Sequence, residues 1–176
     1  RENYFTYKLT ICPETIGAIA YNKYNLDSKS KKIIYGLVLT CLGGPSNTLT
    51  YKKSKEYEYK NLFNSHLNNY IDVIKTEYDP TSGSNERQFN HPSVRLPYGQ
   101  FSKTTYGTYA EYHNSKDNVK FLKIDEFINT VDQIYKIIEE FDAQYQKFEP
   151  QENYEYLSTS SQLGNLHTAN KFGEPF

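Results

Sequence analysis

Hydrophobic and polar positions change period several times along this 176-residue chain, and each change predicts an element. In "YFTYKLTI", Phe5, Tyr7, Leu9 and Ile11 alternate with Tyr4, Thr6, Lys8 and Thr10. That period of two describes a half-buried strand, which Pro13 stops. "TIGAIAYNKY" (15–24) reads as a second strand, ended by the polar turn "NLDSKSKK". "IIYGLVLTCL" (33–42) is apolar on both faces and β-branched at its start. It describes a central strand covered on both sides and closed by Gly43, Gly44 and Pro45. The period then lengthens. Tyr59, Leu62, Phe63, His66, Leu67, Tyr70, Ile71, Ile74 and Tyr78 recur in steps of three and four, so a helix is predicted from about 54 to 78. Within that stripe His66 reads as a packed, hydrogen-bonded core residue.

"QFSKTTYGTYAEYH" and "NVKFLKI" predict two more strands, joined by "NSKDN" into an antiparallel hairpin. From Asp125 to Phe148 the pattern is the most regular in the chain. Ile124, Phe127, Val131, Ile134, Ile138, Phe141, Tyr145 and Phe148 mark one helical face, and Asp125 and Glu126 suit its positive N-terminal end. Packing on the domain's own sheet accounts for this face. A seam left uncovered would join two copies of the chain into a homo-oligomer through the helix 125–148. Beyond Pro150 the sequence is polar and aperiodic and reads as an extended tail, free to engage a partner. The expected fold is therefore α+β, mainly an antiparallel sheet of about five strands with two long amphipathic helices and an extended C-terminal tail. Residues 1–149 form one domain and residues 150–176 the tail.

Composition sharpens this picture. Hydrophobic residues make up only 37% of the chain, but it carries 18 Tyr and 10 Phe, so much of the core must be built from Tyr. The net charge of −1 gives no overall attraction for a polyanion, and any such surface must be local. From Glu149 onward, Glu149, Glu152, Glu155 and Glu174 against Lys171 give the tail −3, leaving the remainder at +2. Cys12 and Cys41 sit in apolar surroundings and read as small buried hydrophobes rather than a disulfide. His66, His91, His113 and His167 are scattered without ligand spacing, so no metal or cofactor is expected. No run approaches the roughly 18 apolar residues of a membrane span, and no secretory apolar region is visible. An intracellular protein of a microbe or virus-infected host is expected.

Catalytic motifs give little. No G-x-S-x-G elbow and no G-x-x-x-x-G-K loop is present. Glu58-Tyr59-Lys60 has the letters of a nuclease acid-x-Lys pair, but it falls on a predicted helix. The better lead is "VRLPYGQFSKTTYGTYAEY" (94–112), whose only acid is Glu111 and which is otherwise part of a segment free of acids after Glu86. Tyr98, Phe101, Tyr106, Tyr109 and Tyr112 offer rings on which bases could stack, at about 1–3 kcal/mol each. Arg87, Arg95, Lys103 and Lys53 would supply a cationic track for a single-stranded nucleic acid. The competing reading makes the tyrosines packing residues and the cations solvated edges. A non-enzymatic single-strand-binding module is thus the expected function, ahead of a structural or assembly protein, perhaps viral, and a hydrolase or nuclease without recognisable motif. The terminal "GEPF" resembles the acidic Pro-Phe terminus of bacterial single-stranded-DNA-binding proteins, though Glu174 is the only acid in the last ten residues.

Overall fold

A computed structural model describes residues 3–26, 33–57 and 62–146. Four short strands form a mixed sheet: β1 (Gly36–Leu39), β2 (Leu49–Lys52), β3 (Val73–Thr76) and β4 (Tyr98–Ser102), in the order β1-β4-β2-β3. β1 runs parallel to β4 and β2 parallel to β3, while β2 and β4 are antiparallel. The helices are α1 (Ile16–Asn25), α2 (Leu62–His66), α3 (Glu86–Phe89) and α4 (Ile124–Gln146), with a 3-10 turn at Leu67–Asn69.

The α+β class holds, but the sheet is mixed and four-stranded, and among the described residues only α4 is a long helix. Each departure has a local cause. Among the described residues the helix expected over 54–78 is confined to α2 and the turn after it. The β-branched "VIKT" segment leaves the helical stripe to pair with β2, an example of tertiary pairing overriding periodicity. The expected strand at 15–24 is α1, whose Ala18 is fully buried against Phe89 and Leu96. The alternating segment 5–11 forms no ladder among the described residues, and Leu9 and Ile11 stay exposed. The hairpin expected over 100–124 is replaced by β4 followed by turns. Short polar side chains there capture the backbone that a ladder would need. Thr108 Oγ1 donates to the Thr105 carbonyl, Asn114 Nδ2 to the Ala110 carbonyl at 2.7 Å, and the Lys116 and Lys120 amides donate to Asn114 Oδ1 and Asn118 Oδ1.

Register sorts the sheet into two faces. Tyr51 lies opposite Phe101, and both are fully buried with Phe63, Phe141 and Leu67. Phe63 meets Tyr51, Phe101 and Phe141 edge-on, joining α2 and α4 to this face. His66 is the core histidine expected. Its Nε2 lies 3.1 Å from both the Ile137 carbonyl and the Tyr70 hydroxyl. On the other face Tyr98 stacks on Phe89 with centroids 4.0 Å apart, bringing α3 and α1 over Val38. Gln100 and Lys52 share that second face and are buried too, so a polar network is sealed inside the sheet layer.

Two compact units divide the chain. Phe5–Phe141 holds the sheet. The other contains Tyr4, whose amide donates to Asp142 Oδ2 at 2.9 Å and whose ring stacks on Tyr145. Cys12 and Cys41 are half-buried free thiols. The tail 150–176, Phe148 and residues 58–61 lie outside the described residues. No described helix is long and apolar enough to cross a membrane.

Candidate functional site

Because β1 and β4 are parallel, their carboxyl ends finish side by side, where loops in open α/β sheets carry ligands. Cys41 leaves β1 at φ 51°, and its carbonyl accepts the Lys103 and Thr104 amides at 3.2 and 3.1 Å. Thr104 Oγ1 accepts the Ser46 amide, and any side chain at Gly44 would collide with that hydroxyl. The glycines that close β1 are thus needed for close approach to β4.

Above this junction the 105–121 segment folds its rings together. Tyr109 stacks on Phe121 at 5.1 Å and meets Tyr112 at 5.6 Å, while Tyr112 stacks on His113 at 3.9 Å. Burial, followed by electrostatic interaction with Cys41 and Asp117 and a hydrogen bond with the Cys41 thiol, pushes the Tyr109 hydroxyl up to about 12. Burial also raises Tyr112, helped by Glu14, Cys41 and Tyr106. Both hydroxyls therefore stay protonated and able to donate at neutral pH. Glu14 accepts Ser84 Oγ at 2.7 Å, and the Thr15 amide donates to Asn85 Oδ1 at 2.6 Å. Four described residues other than glycine have positive φ, and three of them, Thr15, Cys41 and His113, belong to this neighbourhood. Strained backbone of this kind costs about 1–3 kcal/mol per residue and concentrates where geometry serves function.

A buried ion pair underlies the site. Glu86 is fully buried and accepts Lys52 Nζ at 3.0 Å and the Ser84 amide at 2.9 Å. The Gln100 amide, oriented to donate, lies 2.7 Å from Glu86 Oε2. Lys52 also donates to the Asp79 and Ser82 carbonyls. Gly83 sits at φ 149°, and a Cβ there would strike the Glu86 carboxylate and the Lys52 ammonium. These bonds fix the loop 79–86 and so place Ser84 against Glu14. Sequence reasoning missed Glu14, Ser84 and the Lys52–Glu86–Gln100 set. Polar letters such as Lys52 and Gln100 inside strands were the available signal. Among the described residues no three His, Cys, Asp or Glu side chains gather to hold a metal ion.

The residues expected to bind nucleic acid are dispersed. Phe101 is fully buried in the core, and Tyr98 is stacked on Phe89. Lys103 is buried and paired with Glu126 at 2.7 Å, and Lys53 pairs with Glu77 at 2.6 Å. Tyr106, Tyr109 and Tyr112 cluster at the carboxyl ends of β1 and β4, whereas Arg87 and Arg95 lie near Tyr78 and Tyr57.

The chain belongs to the family described as "Domain of unknown function (DUF4910)", whose model matches residues 1–144. It is 34% identical over 124 residues to a Clostridium acetobutylicum protein named "Putative polysaccharide biosynthesis protein with aminopeptidase-like domain". That alignment covers 69% of this chain and 28% of the relative. A crystal structure titled as a "putative peptidase" from the same organism superposes with a TM-score of 0.62 at 30% identity. The superposition spans 74% of this chain and 31% of that one. The chain thus spans about a third of the length of these relatives.

These relatives, named for an aminopeptidase-like domain and as a putative peptidase, overturn the nucleic-acid-binding function, together with the viral or structural role set beside it. The acid-free run misled because the acids come from elsewhere in the chain. Glu126 lies 23 residues beyond Lys103, and Glu77 lies 24 beyond Lys53, so no local window could reveal either pair.

Proposed function

We propose that this chain is a module of a peptidase-like hydrolase, working at the carboxyl ends of β1 and β4. The observation that carries the reading is the sequence identity, over some seven tenths of the chain, with a relative named for an aminopeptidase-like domain and with a crystal structure titled as a putative peptidase. The site offers chemistry that amide hydrolysis uses. Glu14 is an exposed carboxylate positioned by Ser84, suited to accept a proton from an attacking water. The protonated hydroxyls of Tyr109 and Tyr112 are suited to donate to a carbonyl oxygen as it gains negative charge. His113, stacked on Tyr112, lines the same place.

A panel of aminoacyl and dipeptidyl 7-amido-coumarins tests this reading. Glu14→Gln should lower kcat/KM by about 10²–10⁴-fold, and Tyr112→Phe by about 10²–10³-fold. Release of coumarin that neither substitution changes would refute the assignment.

A second copy is a further proposed partner. On α4, Ile124, Phe127, Ile128, Val131 and Tyr135 are all exposed along one stripe; Ile124, Phe127 and Val131 belong to the heptad face read from the sequence, whose Ile134 and Phe141 are buried instead. Light scattering at rising concentration should show a dimer that Val131→Glu abolishes, and a monomer throughout would refute it.

A further inference from the structure

We propose that the outer edge of β1 takes up an extended peptide as an added strand and leads it to the carboxyl ends of β1 and β4. That role rests on the peptidase-like function above and names how its substrate is held. β1 lies at one margin of the sheet and pairs with β4 alone. The Gly36 amide donates to the Pro97 carbonyl at 2.9 Å, and the Thr40 amide donates to the Phe101 carbonyl at 3.1 Å. Successive residues of a strand turn their backbone groups to opposite sides. Gly36, Val38 and Thr40 therefore face β4, and Leu37 and Leu39 face outward. The amides and carbonyls of Leu37 and Leu39 meet no hydrogen-bond partner among the described residues.

The two margins of the sheet differ. On β3 the Thr76 carbonyl accepts the Lys53 amide, so Val73 and Lys75 form the outward row. The Val73 amide is already taken by the Tyr70 carbonyl at 3.3 Å. Lys75 adds a charge to that row and donates to the same carbonyl. A charge and an occupied amide are the means by which proteins guard an edge. The margin at β1 has neither. "IIYGLVLTCL" contains no charged residue and no proline. None of the four β1 residues is buried and Leu39 is 51% exposed, whereas four of the five residues of β4 are buried. An unguarded apolar margin of this kind is a template for another strand.

Hydrogen-bonding pattern and position select the occupant. Donors and acceptors spaced two residues apart match the backbone of an extended peptide, which supplies affinity whatever its sequence, while alternate side chains supply preference. Leu37 and Leu39 set an apolar row beside the incoming chain, so uncharged aliphatic side chains at alternate positions are favoured. Beyond Leu39 the chain runs through Thr40 to Cys41, whose thiol is hydrogen-bonded with Tyr109. A peptide lying along β1 is thereby delivered to the Tyr109 and Tyr112 hydroxyls that the proposed hydrolysis uses.

The test is a 1H–15N NMR titration of the full chain with a capped five-residue peptide alternating alanine and leucine. Two analogues carry N-methyl groups, one on every second amide and the other on every amide. The parent peptide should shift the Leu37 and Leu39 amides to saturation and slow their hydrogen exchange. The first analogue should still bind through its open edge, and the fully methylated one should not. Leu39→Pro removes one outward donor and leaves the β4 ladder intact, and edge strands tolerate Pro there; binding should weaken about five- to tenfold. Leu39→Lys gives β1 the kind of charge that Lys75 gives β3, should also weaken binding, and serves if Pro disturbs the fold. Saturating shifts at Leu37 and Leu39 with turnover unchanged in Glu14→Gln would uphold the edge and refute the catalytic assignment. Shifts at Tyr109 and Tyr112 with Leu37 and Leu39 unmoved would do the reverse. Equally tight binding of the fully methylated peptide, or unchanged affinity in both Leu39 variants, would overturn the proposal. So would protection of the two amides before peptide is added, since a second copy or another part of the chain would then already occupy the edge.

Discussion

Replacing Lys52 by Met leaves Glu86 charged, fully buried and deprived of its cation. Met retains most of the apolar stem, so packing changes little and the loss is mainly electrostatic. Glu86 keeps the Ser84 amide and the Gln100 amide as donors, but neither carries charge. Breaking a buried pair by removing one partner costs about 3–5 kcal/mol. Lys52 also ties the Asp79 and Ser82 carbonyls, so the loop 79–86 should loosen as well. For a domain of this size each kcal/mol lowers Tm by about 2–4 °C, which places the expected fall at about 6–20 °C. Urea unfolding followed by far-UV circular dichroism gives the free energy directly. The double variant Lys52→Met with Glu86→Leu should recover much of the loss, because both charges then leave together. A loss below about 1 kcal/mol in Lys52→Met, or a double variant weaker than the sum of the singles, would refute the assignment of this pair as the clamp.

Phe101→Ala should cost about 3–5 kcal/mol by emptying the core between Tyr51 and Phe63, whereas Tyr106→Ala on the half-buried cluster should cost under half as much, both read from urea midpoints. Gly83→Ala should destabilise the chain by more than 1 kcal/mol, since φ 149° is strained for Ala and its Cβ meets Glu86. Burial pushes the Tyr98 hydroxyl up to about 12. Its folded pKa therefore exceeds its unfolded one, so the stability it contributes is intact below pH 10 and is lost between about pH 10 and 12. Tyr98→Phe should flatten that part of the stability-against-pH curve, and an unchanged slope there would contradict the burial of its hydroxyl.

Much of the architecture was legible where burial and local pattern agree. "GLVL" was found as a strand, although it is the half-buried edge of the sheet and not the covered central strand expected over 33–42; α4 was found from its heptad spacing, and His66 was placed in the core. The rest turned on partners distant in sequence. "TIGAIAYNKY" alternates too briefly to distinguish a strand from a helix, and Phe89 and Leu96 decide the matter by covering Ala18. "VIKT" continues a helical stripe, yet β2 offers it a parallel partner. The turns after β4 are written in Thr, Asn and Asp, whose hydrogen-bonding to nearby backbone was outweighed by their tyrosine neighbours in the reading of a hairpin. The candidate site was half visible. Tyr106, Tyr109 and Tyr112 were singled out for a different ligand, while Glu14 and Ser84 stand 70 residues apart and carry no motif.

The central claim is that substrate meets the chain where β1 and β4 end. An NMR titration with a non-hydrolysable peptide analogue, such as a peptidyl phosphinate, locates that contact residue by residue. The account predicts the largest amide shifts at Glu14, Cys41, Thr104, Tyr109, Tyr112 and His113. Shifts confined to the β3 edge or to the exposed stripe of α4, with those six residues unmoved, would contradict it.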